Sequence, residues 1–162
     1  MKSMIFLIAL TAVSTEPPIR FACTETTHVA PNQVWELWTD LTTWPTWDSG
    51  LKKAQLNSTS LGLGSKGTLI PDRGPKARFA FTEWEEGKQY AFSTQLPLAK
   101  LVVKRYWRVD DGQTLFTHEV SFTGPLKKFW AKRLGKRYEQ MLPQVLADIK
   151  QLLESEEGRP EE

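Results

Sequence analysis

The feature that most constrains the fold is a long apolar stripe near the C-terminus. It opens at Gly124-Pro125-Leu126, where a proline fits the first helical turn because its missing N–H would be unpaired there. Thirty residues at 1.5 Å each predict a helix of roughly 45 Å. A stripe this long needs a large apolar surface to lie on. It consists of Trp130, Leu134, Tyr138, Met141, Leu142, Val145, Leu146, Ile149, Leu152 and Leu153, spaced three or four residues apart.

Pro143 falls inside this periodic run. A proline within a helix removes one backbone hydrogen bond and crowds the carbonyl four residues back, so we expect a kink there. A bend at this position would let the helix follow a curved sheet.

Upstream of the stripe, most of the chain has the pattern of β-strands. Residues 19–29 alternate in period two, which predicts a half-buried first strand. A short amphipathic helix is predicted from Pro31, and Trp44-Pro45-Thr46-Trp47 predicts a second short helix or turn. The remaining strands are predicted at residues 51–59, 68–71, 76–85, 88–96, 101–109 and 113–122. The simplest architecture is one long helix held against a curved antiparallel sheet.

The dipeptide Asp111-Gly112 predicts the register of the last two strands, because Asp-Gly is a strong signal for a two-residue hairpin. Pairing Asp110 with Gln113 places Arg105 opposite His118, and Trp107 opposite Phe116. Both sets belong to the more apolar half of their strand, so the register is self-consistent. It predicts that Arg105 and His118 are neighbours on the concave face of the sheet, towards the helix.

A glycine-rich segment, Gly62-x-Gly64-x-x-Gly67, has the spacing of a dinucleotide-binding loop. Such a loop requires a helix that begins within it, so that the helix N-terminus meets the pyrophosphate. Here the following residues, 68–71, favour a strand. The segment therefore predicts a turn between strands, and we expect no cofactor.

Composition excludes several classes of function. A chain of 162 residues suits one domain, and a formal charge of +2 gives no reason to expect nucleic acid as a partner. The single cysteine, Cys23, excludes an internal disulfide. His28 and His118 have opposite parity on different strands, so we expect no metal site. A Gly-x-Ser-x-Gly nucleophile motif is absent, which argues against hydrolase chemistry.

The chain divides into an N-terminal apolar extension at residues 1–18, a domain at 19–155 and an acidic tail at 156–162. Residues 1–14 have the order of a secretory signal peptide, namely a lysine, a short apolar run and small residues. The alternative is an extra segment that covers apolar surface of the domain. We favour a cytoplasmic protein, with export as the alternative if residues 1–14 are a signal peptide. The sequence does not settle the oligomeric state.

The order of these motifs is similar to one known superfamily. A strand ending in Val29-Ala30-Pro31, the Trp44–Trp47 segment, a run of strands and Gly124-Pro125-Leu126 before a long helix follow one another over residues 19–154. The chain resembles the SRPBCC or START-like superfamily, in its polyketide cyclase/dehydrase branch. The resemblance implies an α+β helix-grip fold, in which a seven-stranded antiparallel sheet wraps around the C-terminal helix. It also implies two short helices after the first strand and an apolar cavity. Because this superfamily includes carriers, receptors and enzymes, the fold does not settle the function.

Our main hypothesis is a non-catalytic protein that binds or carries a small hydrophobic ligand, such as a lipid, a quinone or a polyketide-like aromatic, in this cavity. Four tryptophans, at positions 35, 38, 44 and 47, could line its mouth, although packing of the short helices onto the sheet is the safer interpretation. The predicted ligand contacts are Trp47, Phe81, Tyr90, Phe92, Arg105, Trp107, Phe116, His118 and Tyr138.

The first alternative is a cyclase or dehydratase that uses His118, Glu25 and Arg105. If the first and last strands pair, as the resemblance implies, Glu25 could approach His118, and a His–carboxylate pair in a dry cavity can move a proton. Glu83 could also face inward. An internally satisfied salt-bridge cluster explains the same residues without catalysis.

The second alternative is a membrane- or protein-docking module. Lys128, Lys132, Arg133 and Lys136 share one side of the long helix with Phe129. A basic face with an exposed aromatic residue suits peripheral contact with an anionic membrane. An ordinary solvated face, with a loop over Phe129, is the competing interpretation.

Overall fold

The computed structural model describes residues 16–157 and shows an antiparallel sheet curled around a long helix. The predicted signal-like segment at 1–14 and residues 158–162 of the predicted tail lie outside the described residues. The elements are β1 (Ile19–Thr27), α1 (Pro31–Thr39), a 3₁₀ turn (Leu41–Thr43), α2 (Trp44–Trp47), β2 (Leu51–Leu56), β3 (Lys66–Pro71), β4 (Ala77–Glu85), β5 (Gln89–Leu96), β6 (Ala99–Asp110), β7 (Gln113–Thr123) and α3 (Lys127–Glu157).

The seven strands form one sheet in the order β1-β7-β6-β5-β4-β3-β2, and every neighbouring pair is antiparallel. The first strand therefore pairs with the last, while α1 and α2 connect it to the opposite edge of the sheet. This arrangement confirms the predicted fold, with two short helices after the first strand and one long helix at the end.

The β6–β7 hairpin has the predicted register. Asp111 and Gly112 both have positive φ, at 48° and 73°, as a two-residue type I′ turn requires. Asp110 pairs with Gln113, and the same register continues without a shift through the ten further pairs of the ladder. Arg105 therefore lies opposite His118.

Strand β4 contains an irregularity that the alternating pattern did not predict. The register with β5 shifts between Phe81 and Glu83, as it does at a β-bulge. An extra residue reverses the inward and outward positions that follow, so the predicted inward position of Glu83 is wrong. Glu83 is exposed and bonded to Lys104 (2.6 Å), while Trp84 stacks on Tyr90 with ring centroids 5.7 Å apart.

The glycine-rich segment is a turn between β2 and β3, as predicted. Gly64 has a φ of 79°, and its N–H donates to the Phe81 carbonyl (2.9 Å). The residues that follow form β3 and not a helix, so the phosphate-binding geometry of a dinucleotide loop is not formed.

The helix α3 is attached to the rest of the fold at its first turn. The Leu126 N–H donates to the Leu98 carbonyl (3.0 Å). The buried ammonium group of Lys127 donates to the carbonyls of Glu16 (2.8 Å) and Pro17 (2.9 Å). The helix then continues through Pro143, and the kink expected there stays a prediction. Within residues 16–157, no helix has the length and apolar character needed to cross a membrane.

The interior between sheet and helix is filled unevenly. One large cluster of buried side chains lies under α1 and α2 and is mainly aromatic. A smaller cluster, around Val120, Phe122, Ala131 and Leu142, lies towards the beginning of α3. Trp38, Trp44 and Trp47 are completely buried and Trp35 nearly so, which supports the packing interpretation of the four tryptophans.

Candidate ligand-binding cavity

A cavity of about 290 Å³ lies between α3 and the concave face of the sheet. Its walls are mainly aliphatic and come from strands β2 to β7 and from α3. Three exposed residues of its lining, Arg73, Pro75 and Arg137, mark the side that opens to solvent. The volume is near the lower end of the range for ligand pockets and equals that of about ten liquid-water molecules. The apolar wall includes Leu69, Leu101, Val103, Val120, Leu134, Met141, Leu142 and Val145.

Arg105 lies at the closed end of this cavity and is only 2% exposed. Its Nη1 donates to the Tyr90 hydroxyl, which donates in turn to the Trp38 carbonyl (2.9 Å). The guanidinium carbon lies 4.3 Å from the ring centroid of Trp44 and 4.7 Å from that of Trp47. Stacking on indole rings compensates part of the cost of burying the charge.

His118 lies beside Arg105 in the β6–β7 ladder and is also 2% exposed. Its ring lies 5.6 Å from that of Trp38 and 5.8 Å from that of Trp47, measured between centroids. Burial, and secondarily the positive charge of Arg105, hold the pKa of His118 well below its usual range. The imidazole is therefore neutral, and its buried Nε2 has no hydrogen-bond partner among the described residues.

The charged residues of the lining that sequence reasoning missed include Asp48 and Arg137, in addition to the exposed Arg73. Burial raises the pKa of Asp48, although Arg105, the Gly50 N–H (2.9 Å) and Arg137 act in the opposite direction. Burial and the nearby Asp48 charge raise the pKa of Tyr138 to about 12. Asp48 is the C-terminal cap of α2 and Arg137 adjoins Tyr138 of the apolar stripe. In the sequence, only these neighbouring elements indicate that Asp48 and Arg137 lie near the cavity.

The structure does not place Glu25 beside His118. In the β1–β7 ladder His118 pairs with Cys23, whereas Glu25 pairs with Phe116, one inward position further along. The Glu25 carboxylate is partly exposed and lies 3.5 Å from the ammonium group of Lys150 on α3. The set of His118, Glu25 and Arg105 predicted for a cyclase or dehydratase is therefore not assembled.

The nine predicted ligand contacts divide into three groups. Phe92, Arg105, His118 and Tyr138 line the cavity. Trp107 is partly buried against the aromatic cluster and donates to the Gly87 carbonyl (2.9 Å). The other four are fully buried within that cluster, and their contact with a ligand stays a prediction: Trp47, Phe81, Tyr90 and Phe116.

An outer depression of the sheet and possible metal-binding groups offer weaker candidate sites. A depression of about 440 Å³ on the outer face of the sheet is lined by side chains that are already paired, including Arg20 with Glu119 (3.5 Å) and Lys104 with Glu83 (2.6 Å). Within the described part of the chain, no group of three His, Cys, Asp or Glu side chains is placed to hold a metal ion.

Sequence comparison identifies the family. Residues 18–154 match the family model described as polyketide cyclase / dehydrase and lipid transport. The chain belongs to this family. The matched range covers every strand, all three α-helices up to residue 154 and the complete cavity lining, so the resemblance drawn from the motif order is confirmed. No curated protein shows significant sequence similarity to the chain.

Solved structures of similar fold come from diverse proteins. A protein from Mesorhizobium loti, MLL2253, is 17% identical, with a TM-score of 0.67 over 85% of this chain and 98% of that one. Ara h 8.0201 is 14% identical, with a TM-score of 0.62 over 86% and 99%. The di-domain ARO/CYC StfQ from the steffimycin biosynthetic pathway is 12% identical, with a TM-score of 0.69 over 88% and 52%. At these identities the similarity shows the fold of this polyketide cyclase/dehydrase and lipid transport family member, and not its ligand.

Proposed function

We propose that this family member binds, and carries, a small hydrophobic ligand in the cavity between α3 and the sheet. The observation that carries the proposal is the cavity itself, because well-packed interiors leave few voids larger than a water molecule. This one holds about 290 Å³ behind mainly aliphatic walls and opens to solvent on one side. Family membership supports the same class of function.

Native mass spectrometry of the purified protein, followed by organic extraction, tests the proposal directly. Titration with the neutral fluorophore N-phenyl-1-naphthylamine provides a second test, because its emission rises in apolar surroundings. We expect saturable binding to one site. A protein that carries no extractable molecule and does not bind the fluorophore would contradict the proposal.

A matched pair of variants locates the site. Val103 lines the cavity, whereas its neighbour Val102 points to the outer face of the sheet. We expect Val103→Phe to weaken fluorophore binding at least about tenfold, because its ring would occupy space that the fluorophore needs, and Val102→Phe to leave binding within about twofold. Equal effects of the two substitutions would place the bound fluorophore elsewhere.

A second candidate function is peripheral contact with anionic membranes. Leu98 is 66% exposed, Phe129 is 54% exposed and Leu126 is also exposed. The hydrogen bond from the Leu126 N–H to the Leu98 carbonyl brings these two residues together, and Phe129 follows Leu126 by less than one helical turn. We name the patch formed by Leu98, Leu126 and Phe129 the apolar tip. Exposed basic residues surround it on α3: Lys128, Lys132, Arg133 and Lys136. An apolar centre with a basic rim matches the chemistry of an anionic bilayer surface.

Co-sedimentation with phosphatidylcholine vesicles, with and without phosphatidylserine, tests this candidate. We expect binding that requires phosphatidylserine, weakens with salt and is lost in the double variant Leu98→Ser with Phe129→Ser. Val109→Ser is the control, because Val109 is 56% exposed but lies at the other end of β6, beside Asp110 and Asp111. Sedimentation that ignores lipid charge, salt and the double substitution would remove this function.

A further inference from the structure

The closed end of the cavity has more hydrogen-bond donors than the protein can satisfy. A guanidinium group carries five N–H donors. Among the described residues, Arg105 has one acceptor, the Tyr90 hydroxyl, and its buried Nε has none. Buried donors are almost always paired in folded proteins, because each unpaired one costs about 1–3 kcal/mol.

The charge of Arg105 is also uncompensated. No described carboxylate of residues 16–155 lies within 4.0 Å of the guanidinium, although buried charges are normally paired. Asp48 acts on Arg105 only at longer range, and burial raises the pKa of its carboxyl group. The indole rings of Trp44 and Trp47 stabilise the cation through their faces, but they accept no hydrogen bond in the plane of the guanidinium.

His118 provides a second unused group at the same place. It lies opposite Arg105 in the ladder and lines the same cavity, and its imidazole makes no hydrogen bond with any described residue. A neutral imidazole donates one hydrogen bond without adding charge. One buried cation and one neutral donor are complementary to a group with a single negative charge and several acceptor lone pairs.

We propose that the ligand is a small apolar carboxylic acid whose carboxylate binds Arg105 and His118 at the closed end of the cavity. This inference rests on the proposed function of the cavity and specifies the class of its ligand. A carboxylate matches the planar fork of the guanidinium and balances its single charge. A phosphate monoester would bring a second negative charge to the closed end of the cavity, whereas the other arginines of the lining, Arg73 and Arg137, are exposed on the side that opens to solvent. The aliphatic wall accommodates the rest of the molecule.

The test compares two probes of the same shape, 2-naphthoate and its neutral analogue 2-naphthalenemethanol, by isothermal titration calorimetry. We expect the wild-type protein to bind the acid at least tenfold more tightly than the alcohol. Arg105→Met should abolish this preference and leave the affinity for the alcohol within a few fold. Arg108→Gln is the control, because Arg108 is exposed on the same strand and does not line the cavity.

The outcomes separate the two levels of the proposal. If the alcohol binds as tightly as the acid, or if Arg105→Met keeps the preference for the acid, the carboxylate inference is overturned while the binding cavity stands. If the wild-type protein binds neither probe nor the neutral fluorophore, both the cavity function and the inference fail. If Arg105→Met does not fold, the ratio of the affinities of the wild-type protein for the acid and for the alcohol decides. Arg105→Lys, which keeps the charge but loses the planar fork, should then reduce that ratio.

Discussion

The two halves of the interior differ in how completely side chains fill them. Under α1 and α2, aromatic rings are in contact throughout, as Trp44 shows with centroids 5.4 Å from Phe92 and 6.1 Å from Phe79. On the other side of Arg105, the aliphatic residues of α3 face β6 and β7 across a cavity of about 290 Å³. The same sheet thus supports a close-packed half and an open half, which meet at Arg105 and His118.

This difference shows which residues hold the fold and which leave room for a ligand. The short helices bring four tryptophans into one half, and these rings do not extend to the cavity wall. Large aromatic side chains bury the most area and dominate core energetics. We therefore expect the aromatic half to provide most of the stability and to be sensitive to any change of volume, while the open half tolerates changes that alter binding.

The largest expected effect is the loss of a tryptophan from the aromatic half. Trp44 is completely buried, and its indole N–H donates to the Trp38 carbonyl (3.0 Å). Trp44→Ala should lower the free energy of unfolding by about 3–5 kcal/mol. Met141→Ala, which enlarges the existing cavity, should cost about 1–2 kcal/mol because its site is already partly open. Urea denaturation measures both, and equal costs would contradict the division into two halves.

An intermediate effect is expected from adding a single methyl group to the packed half. A Cβ on Gly67 would meet the ring of Phe79 and lie 2.6 Å from the Gln55 carbonyl oxygen. Because the backbone oxygen cannot move away, Gly67→Ala should destabilise the protein by about 1–3 kcal/mol.

Gly135→Ala is the matched control on α3. There the new Cβ would meet only the end of the Phe21 ring, most closely its Cζ, and a movable ring can shift. Helix propensity favours alanine by about 1 kcal/mol, so the net change should stay within about 1 kcal/mol. A larger loss at Gly135 than at Gly67 would show that packing near β1 is the tighter of the two.

The boundary between the halves should make stability depend on pH. The pKa of His118 is depressed in the folded state, so its contribution is fully present above the unfolded pKa of about 6.5 and is lost as pH falls below it. The loss should be about 1.4 kcal/mol per pH unit. Urea midpoints measured at several pH values, from about one unit above to about one and a half units below the unfolded pKa of about 6.5, should fall less steeply in His118→Gln than in the wild-type protein. Parallel curves for wild type and variant would mean that the imidazole is not buried in its neutral form.

The smallest change in stability is expected where the open half is filled. Val103→Phe places a larger side chain into the cavity and should alter the free energy of unfolding by less than about 1 kcal/mol. The same substitution in a close-packed region costs about 1–3 kcal/mol. A loss of several kcal/mol, measured by urea denaturation, would show that the cavity wall is rigid and closely packed.

Sequence reasoning predicted what local signals determine. The Asp111-Gly112 turn and the alternating pattern of its strands suffice to place Arg105 opposite His118, because a two-residue hairpin leaves only one self-consistent register. The long apolar stripe likewise predicted α3, and its spacing identified Tyr138 as a residue that faces the sheet.

The errors arose where no local sequence signal determines the structure. No turn links β1 to β7, so nothing local fixes their register, and Cys23 rather than Glu25 lies opposite His118. The bulge in β4 has no glycine or proline to signal it, and it reversed the side on which Glu83 lies. The position of the cavity was also not predictable, because the spacing of the tryptophans in the sequence does not specify how their rings pack.

The attachment of Lys127 to the carbonyls of Glu16 and Pro17 has a practical consequence. These contacts hold Glu16 and Pro17 within about one helical turn of Phe129, so a label attached to either residue would lie beside the apolar tip and compete with whatever approaches it. Immobilisation and labelling through the end that follows α3 would leave that corner unobstructed.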